Sequence, residues 1–152
     1  MDENERIVIE KALEGSFPYF GILKNQIENL KVRRRISKSG LYDVEYIYSG
    51  EADQLLKGAQ ANMSINDISL LINESRESLF AELIILNGHI SVLTINGRYD
   101  FLNNFSIKDV FWTKDVLRKN QKSGTNCIDY EIITESNKRD FEFAIGYFPN
   151  YM

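Results

Sequence analysis

The chain has 152 residues, of which 43% are hydrophobic and 26% charged, with 22 acidic against 18 basic side chains and a net charge of −4. That balance fits one globular domain, 1–152, large enough to bury a core without a disulfide or metal staple. One cysteine (Cys127) and one histidine (His89) exclude a disulfide framework and a zinc site, and the mild acidity argues against nucleic acid as a partner.

Residues 4–14 have helical character, with Ile7, Val8, Ala12 and Leu13 as the apolar component, Asp2 or Asn4 as the cap and Gly15 as the stop. A second helix is expected from Pro18, because Phe20, Leu23, Ile27 and Leu30 recur at spacings of 3, 4 and 3. The period then changes to two. Tyr42, Val44, Tyr46 and Tyr48 share one face of a strand, and Asp43 and Glu45 share the other. Val32-Arg33-Arg34-Arg35-Ile36 also alternates, and Lys38-Ser39-Gly40 makes a turn between the two strands. With Ser37 facing Leu41, Arg35 falls opposite Asp43 and Arg33 opposite Glu45, two cross-strand ion pairs on one face.

Ser64-Ile65-Asn66-Asp67 has the form of a capping box and suggests a short helix carrying Ile65, Ile68 and Ile72. The clearest signal follows. Residues 80–86 and 89–95 are β-rich runs joined by Asn87-Gly88, whose two central positions tolerate the positive φ of a tight hairpin. Both faces of these strands are apolar (Ala81, Leu83 and Ile85 against Phe80, Ile84 and Leu86), which places the hairpin centrally in a sheet. Asn96-Gly97 is expected to end its second strand. Ser106-Ile107-Lys108-Asp109 is another capping-box form and is expected to open a helix through about Lys119, with a strand through Val110-Phe111-Trp112 as the alternative. A polar loop over 121–126 leads into a closing hairpin. It has Ile128, Tyr130 and Ile132 on one strand, Phe141, Phe143, Ile145 and Tyr147 on the other, and a turn at 135–139. The sum is a single α+β domain with a largely antiparallel sheet of about six strands, three or four helices, and the N-terminal helices on one face.

Little in the chain carries chemistry. His89 follows Asn87-Gly88 at a hairpin tip, where a wet surface histidine is expected rather than a catalytic base. Cys127 has no cysteine-protease surroundings and reads as a small hydrophobe. None of the nine glycines forms a phosphate-binding loop, so no nucleotide cofactor and no metal is expected. The pairs Asp43/Glu45 and Asp129/Glu131 each project from one face of a strand, with Cβ atoms roughly 6–7 Å apart. In a cleft, such pairs would permit a carboxylate-based hydrolase; on a flat face they solvate the sheet. The basic clusters at 31–38 and at Lys114, Arg118, Lys119 and Lys122 read as solvated faces. No run reaches the ~18 apolar residues of a membrane span, and the acidic start of the chain (Asp2, Glu3, Glu5) is unlike a secretory leader. A cytoplasmic location is therefore expected.

Residues 20–95 contain Leu23-x-x-Gln26-Ile27, Val32-x-x-Arg35, Gly40-Leu41-Tyr42-x-Val44, Asp67-Ile68 and Leu83-Ile84-x-x-x-Gly88-x-Ile90-x-x-Leu93. In this pattern the chain resembles a group of small bacterial proteins similar to the immunity proteins of polymorphic toxin systems. The resemblance implies a non-enzymatic protein whose partner is a toxin domain, and it carries no catalytic residues. An acidic surface suits a basic toxin domain. The candidate contact residues are Asp43, Glu45, Asp129 and Glu131 on outward strand faces, with Glu142 as an outlier. A regulatory or structural interaction module is the alternative reading.

Overall fold

In the computed structural model, which describes residues 1–72, 78–121, 128–133 and 139–148, Asp2 caps the first helix as expected. Its carboxylate accepts from the Glu5 N–H at 2.9 Å, which satisfies one orphan donor at the start of α1 (Glu3–Ala12). Val8, Ile9 and Ala12 are buried along one side of this helix. The second helix, α2 (Phe20–Gln26), is shorter than its apolar stripe suggests. A 3-10 turn, Ile27–Asn29, ends it, and Leu30 already opens a strand, although Phe20, Leu23, Ile27 and Leu30 are all buried.

β1 (Leu30–Tyr48) is extended along its length but folds back on itself. The Ser49 N–H donates to Asn29 O at 2.9 Å, and Arg34 meets Glu45 at 3.2 Å; a straight strand would hold this second pair roughly 36 Å apart. Gly40, at φ +83, lies in the expected turn. The expected ion pairs, however, are replaced. Leu30 and Val32 pack toward the core, while Arg35, its side chain 40% exposed, reaches Glu5 at 2.8 Å. Arg34 takes Glu45, and Arg35 turns away from Asp43 to the helix.

β2 (Met63–Ile72), β3 (Leu79–Leu86), β4 (His89–Asp100), β5 (Ile107–Trp112) and β8 (Ile145–Tyr147) complete the main sheet. It is six-stranded and antiparallel, in the order β1-β4-β3-β2-β5, with β8 also pairing β2. β6 (Val116–Gln121) and β7 (Ile128–Ile133) form a separate two-stranded sheet. The architecture is a single α+β domain with N-terminal helices on one sheet face, and β3–β4 sits centrally, as the sequence implies. Among the described residues no helix is long and apolar enough to cross a membrane.

Four expectations are corrected. Ser64-Ile65-Asn66-Asp67 lies inside β2, not at a helix start: Ile65, Ile68, Leu70 and Ile72 are buried, and isoleucine suits a strand covered by neighbours better than a short exposed helix. Ser106 precedes β5, so Val110-Phe111-Trp112 takes the strand alternative, and a turn closed by Asp115 N–H to Trp112 O at 2.8 Å stops any helix toward Lys119. β4 continues through Asn96-Gly97 to Asp100. Gly97 (φ +146) lies against Leu79, where a Cβ would come within 2.3 Å of that side chain, so this glycine permits close packing and does not end the strand. The closing hairpin is not formed: β7 pairs β6, Phe141 and Phe143 lie on the single turn α3 (Phe141–Ala144), and β8 pairs β2. Asp140 caps that turn, accepting from the Glu142 and Phe143 N–H groups. Cys127 and nearly all of the loop expected at 121–126 and the turn at 135–139 lie outside the described residues.

The Asn87-Gly88 hairpin is as expected, with φ of +53 and +85. Its tip, by contrast, is enclosed. The Gly88 N–H donates to Ala61 O and Gly88 O accepts from the Leu56 N–H, both at 2.9 Å, and a Cβ at Gly88 would lie 2.3 Å from Leu56 O. Buried Gln26 adds Nε2 to Gly88 O at 2.9 Å and accepts from the Ile90 N–H at 2.9 Å. The same enclosure keeps His89 half-buried: its ring stacks on Tyr48 and its Nδ1 lies 3.0 Å from Ile90 O.

Candidate functional site

Register sets the side chains in rows across the sheet. One face carries Val44–Leu93–Leu83–Ile65 and Tyr42–Ile95–Ala81–Ile68, all buried. This is the helix side, since the Tyr42 and Tyr46 hydroxyls donate to Glu5 of α1 at 2.9 and 2.8 Å. Glu5 is 0% exposed and also accepts from Arg35. Burial alone would raise its pKa, but the Arg35 guanidinium, Asp2 and the two tyrosine hydroxyls outweigh burial and hold it below the ordinary value. Asp2 beside it is raised, first by burial and then by sharing its proton with Glu5.

A second buried charge sits on the same side. The bulge between Ile65 and Ile68 turns Asp67 inward to Arg139, which donates Nε at 2.7 Å to one carboxylate oxygen and a second nitrogen to the other. Arg139 also donates to Ala12 O and Glu14 O at 2.7 and 2.9 Å, where a cation complements the C-terminal end of α1. Phe20, Trp112 and Phe141 surround its guanidinium at 5.4–5.6 Å. This cluster is a clamp that joins β2, α1 and the chain before α3.

The other face of β1, β4 and β3 carries the rows Glu45–Val92–Ile84, Asp43–Thr94–Glu82 and Leu41–Asn96–Phe80. Phe80 and Ile47 are 48% and 50% exposed, and Leu41, Ile84 and Val92 are half-buried. This departs from the two-sided burial expected of the central hairpin. Asp43 and Glu45 both stand here. Glu45 is tied to Arg34, with both partners exposed. Asp43 has one carboxylate oxygen shielded from solvent and without a hydrogen bond. Glu82 joins Asp43 in its row, a residue hidden from sequence reading within an apolar run. Asp43 and Glu45 stand on the sheet face turned away from the helices, both partly buried.

The remaining candidates lie elsewhere. Asp129 and Glu131 are on β7, registered against Asn120 and Arg118, and Glu142 is exposed on α3. The five residues are thus distributed over three elements. Of the basic clusters, Arg34 and Arg35 are held by Glu45 and Glu5, and Lys114 pairs with Asp140 at 2.9 Å. His89 Nδ1 lies 3.3 Å from Ser91 Oγ, but that hydroxyl donates to the carbonyls of Leu86 and His89. Among the described residues no three His, Cys, Asp or Glu side chains converge where a metal ion could sit. No protein-family model, curated protein or solved structure matches the chain.

Proposed function

We propose that the protein is a non-enzymatic, cytoplasmic binding protein of the immunity type, which neutralises a toxin domain by direct contact. The observation that supports this reading is the open sheet face. Half-exposed Phe80 and Ile47, with partly buried Ile84 and Val92 between the carboxylates, offer the apolar centre and polar rim of a protein interface. The acids speed encounter with a basic partner. The resemblance of residues 20–95 to immunity proteins supplies the kind of partner. Asp43 and Glu45 belong to this surface, whereas Asp129, Glu131 and Glu142 stand on other elements.

The test is co-purification with the C-terminal domain of a large secreted protein encoded beside this one, followed by rescue of growth when that domain is expressed. A stable complex with rescue is expected. Absence of both overturns the reading. A stable complex without rescue selects a regulatory or structural module using the same face.

A further inference from the structure

Asp43 and Glu82 flank Thr94, each being its direct partner across one strand boundary. Their Cα atoms are therefore about 10 Å apart, twice the strand spacing, and all three side chains project from one face. Neither carboxylate has a cation among the described residues, because Arg34 is held by Glu45. One oxygen of Asp43 is shielded and accepts nothing, so this carboxylate is under-solvated in the free protein, and an incoming positive charge recovers part of that cost. The rows on either side add apolar surface, partly buried Val92 and Ile84 beside Glu45 on one flank and exposed Phe80 beside Asn96 on the other.

A guanidinium matches these features better than an ammonium does. Its planar fork donates in two directions at once, it is weakly hydrated, and its flat face packs on an aromatic ring. We propose that the Asp43–Thr94–Glu82 row is the seat of an arginine from the partner protein, flanked there by apolar side chains that cover Phe80, Ile84 and Val92. This proposal rests on the binding role above and specifies its chemistry.

The test uses the full chain, labelled for amide NMR, titrated with the capped peptide acetyl-Leu-Arg-Leu-Arg-Leu-amide as the probe. Shift changes are expected to cluster at residues 43, 45, 80, 82, 92 and 94. The near-isosteric double variant Asp43→Asn/Glu82→Gln, shown by thermal melting to stay folded, should bind about five-fold more weakly, the scale of an exposed ion pair. A peptide with glutamine in place of arginine should weaken to a similar degree, and Glu10→Gln/Glu28→Gln on the helix side should bind as the parent does. Absence of binding at millimolar peptide, shifts centred elsewhere, or undiminished binding by the Asp43/Glu82 variant would each overturn the seat. Such a result leaves the co-purification test untouched, and a failed co-purification leaves the peptide result standing.

Discussion

On the helix-covered side of the sheet, Glu5 is held by Arg35 and by two tyrosine hydroxyls, and Asp67 by a two-pronged contact from Arg139. On the open side, Asp43 and Glu82 have no such cation among the described residues, and Glu45 has one that is itself exposed. The two sides obey one rule under different solvents. A carboxylate removed from water is stable only when donors replace the lost hydration, whereas a carboxylate at the surface keeps part of its hydration and needs no cation to be tolerated. Paired acids in the interior therefore mark where this fold is held together, whereas the acids of the outer face add little to its stability.

The sharpest way to break this comparison is a pair of neighbouring substitutions on β3. Leu83→Asp places a lone carboxylate in the buried row and should cost several kcal/mol, enough to prevent folding. Ile84→Asp, one residue on and facing out, should leave the protein folded with a loss of about 1 kcal/mol or less. Circular dichroism with urea titration reads both. Equal effects would deny that the two faces differ.

Arg139→Ala comes next. It strands Asp67 in the interior and opens the carbonyls at the end of α1, so a loss of about 3–5 kcal/mol is expected. At this chain length, that lowers the melting temperature by roughly 10 °C. A change under about 1 kcal/mol would show that the clamp is incidental.

Glu5→Gln should cost about 2 kcal/mol at neutral pH, the scale of hydrogen bonds to a charged group. It should also change the acid limb. Because the folded pKa of Glu5 is lowered, its contribution is fully present above the ordinary glutamate value of 4.5 and is lost as pH falls through the folded value. Asp2 acts in the opposite sense: its pKa is raised, so its contribution is present below the ordinary 3.8 and is lost as pH rises through the folded value. Urea titrations between pH 3 and pH 7 should therefore show a parent that weakens on acidification and a Glu5→Gln variant that weakens less. Parallel curves would remove Glu5 from the network. The smallest effect is expected from Asp43→Asn, which should leave stability within about 0.5 kcal/mol or raise it slightly, since it removes an under-solvated charge.

Much of the fold was legible because its signals are local. Asp2 as a cap, the alternation of Tyr42, Val44 and Tyr46, and the positive φ at Asn87-Gly88 each depend on a few adjacent residues and on backbone sterics. Ser64-Ile65-Asn66-Asp67 misled for the same reason: its capping form is local, while its strand identity comes from β3, β5 and β8 pairing along both edges. Of the candidate surface, Asp43 and Glu45 could be read from alternation. Glu82 could not, because its place opposite Thr94 depends on inter-strand register.

The sequence by itself determined the class of the fold and the central hairpin, both of which follow from residue type and short-range period. Only the tertiary structure decided that Arg35 serves Glu5, that Arg139 reaches across the chain to Asp67, and that one face of the central strands stays open. These are contacts between residues 30 and more positions apart. Their existence depends on which surfaces the helices cover and on how distant strands come together, and neither has a local signature for a pattern of apolar and polar residues to carry.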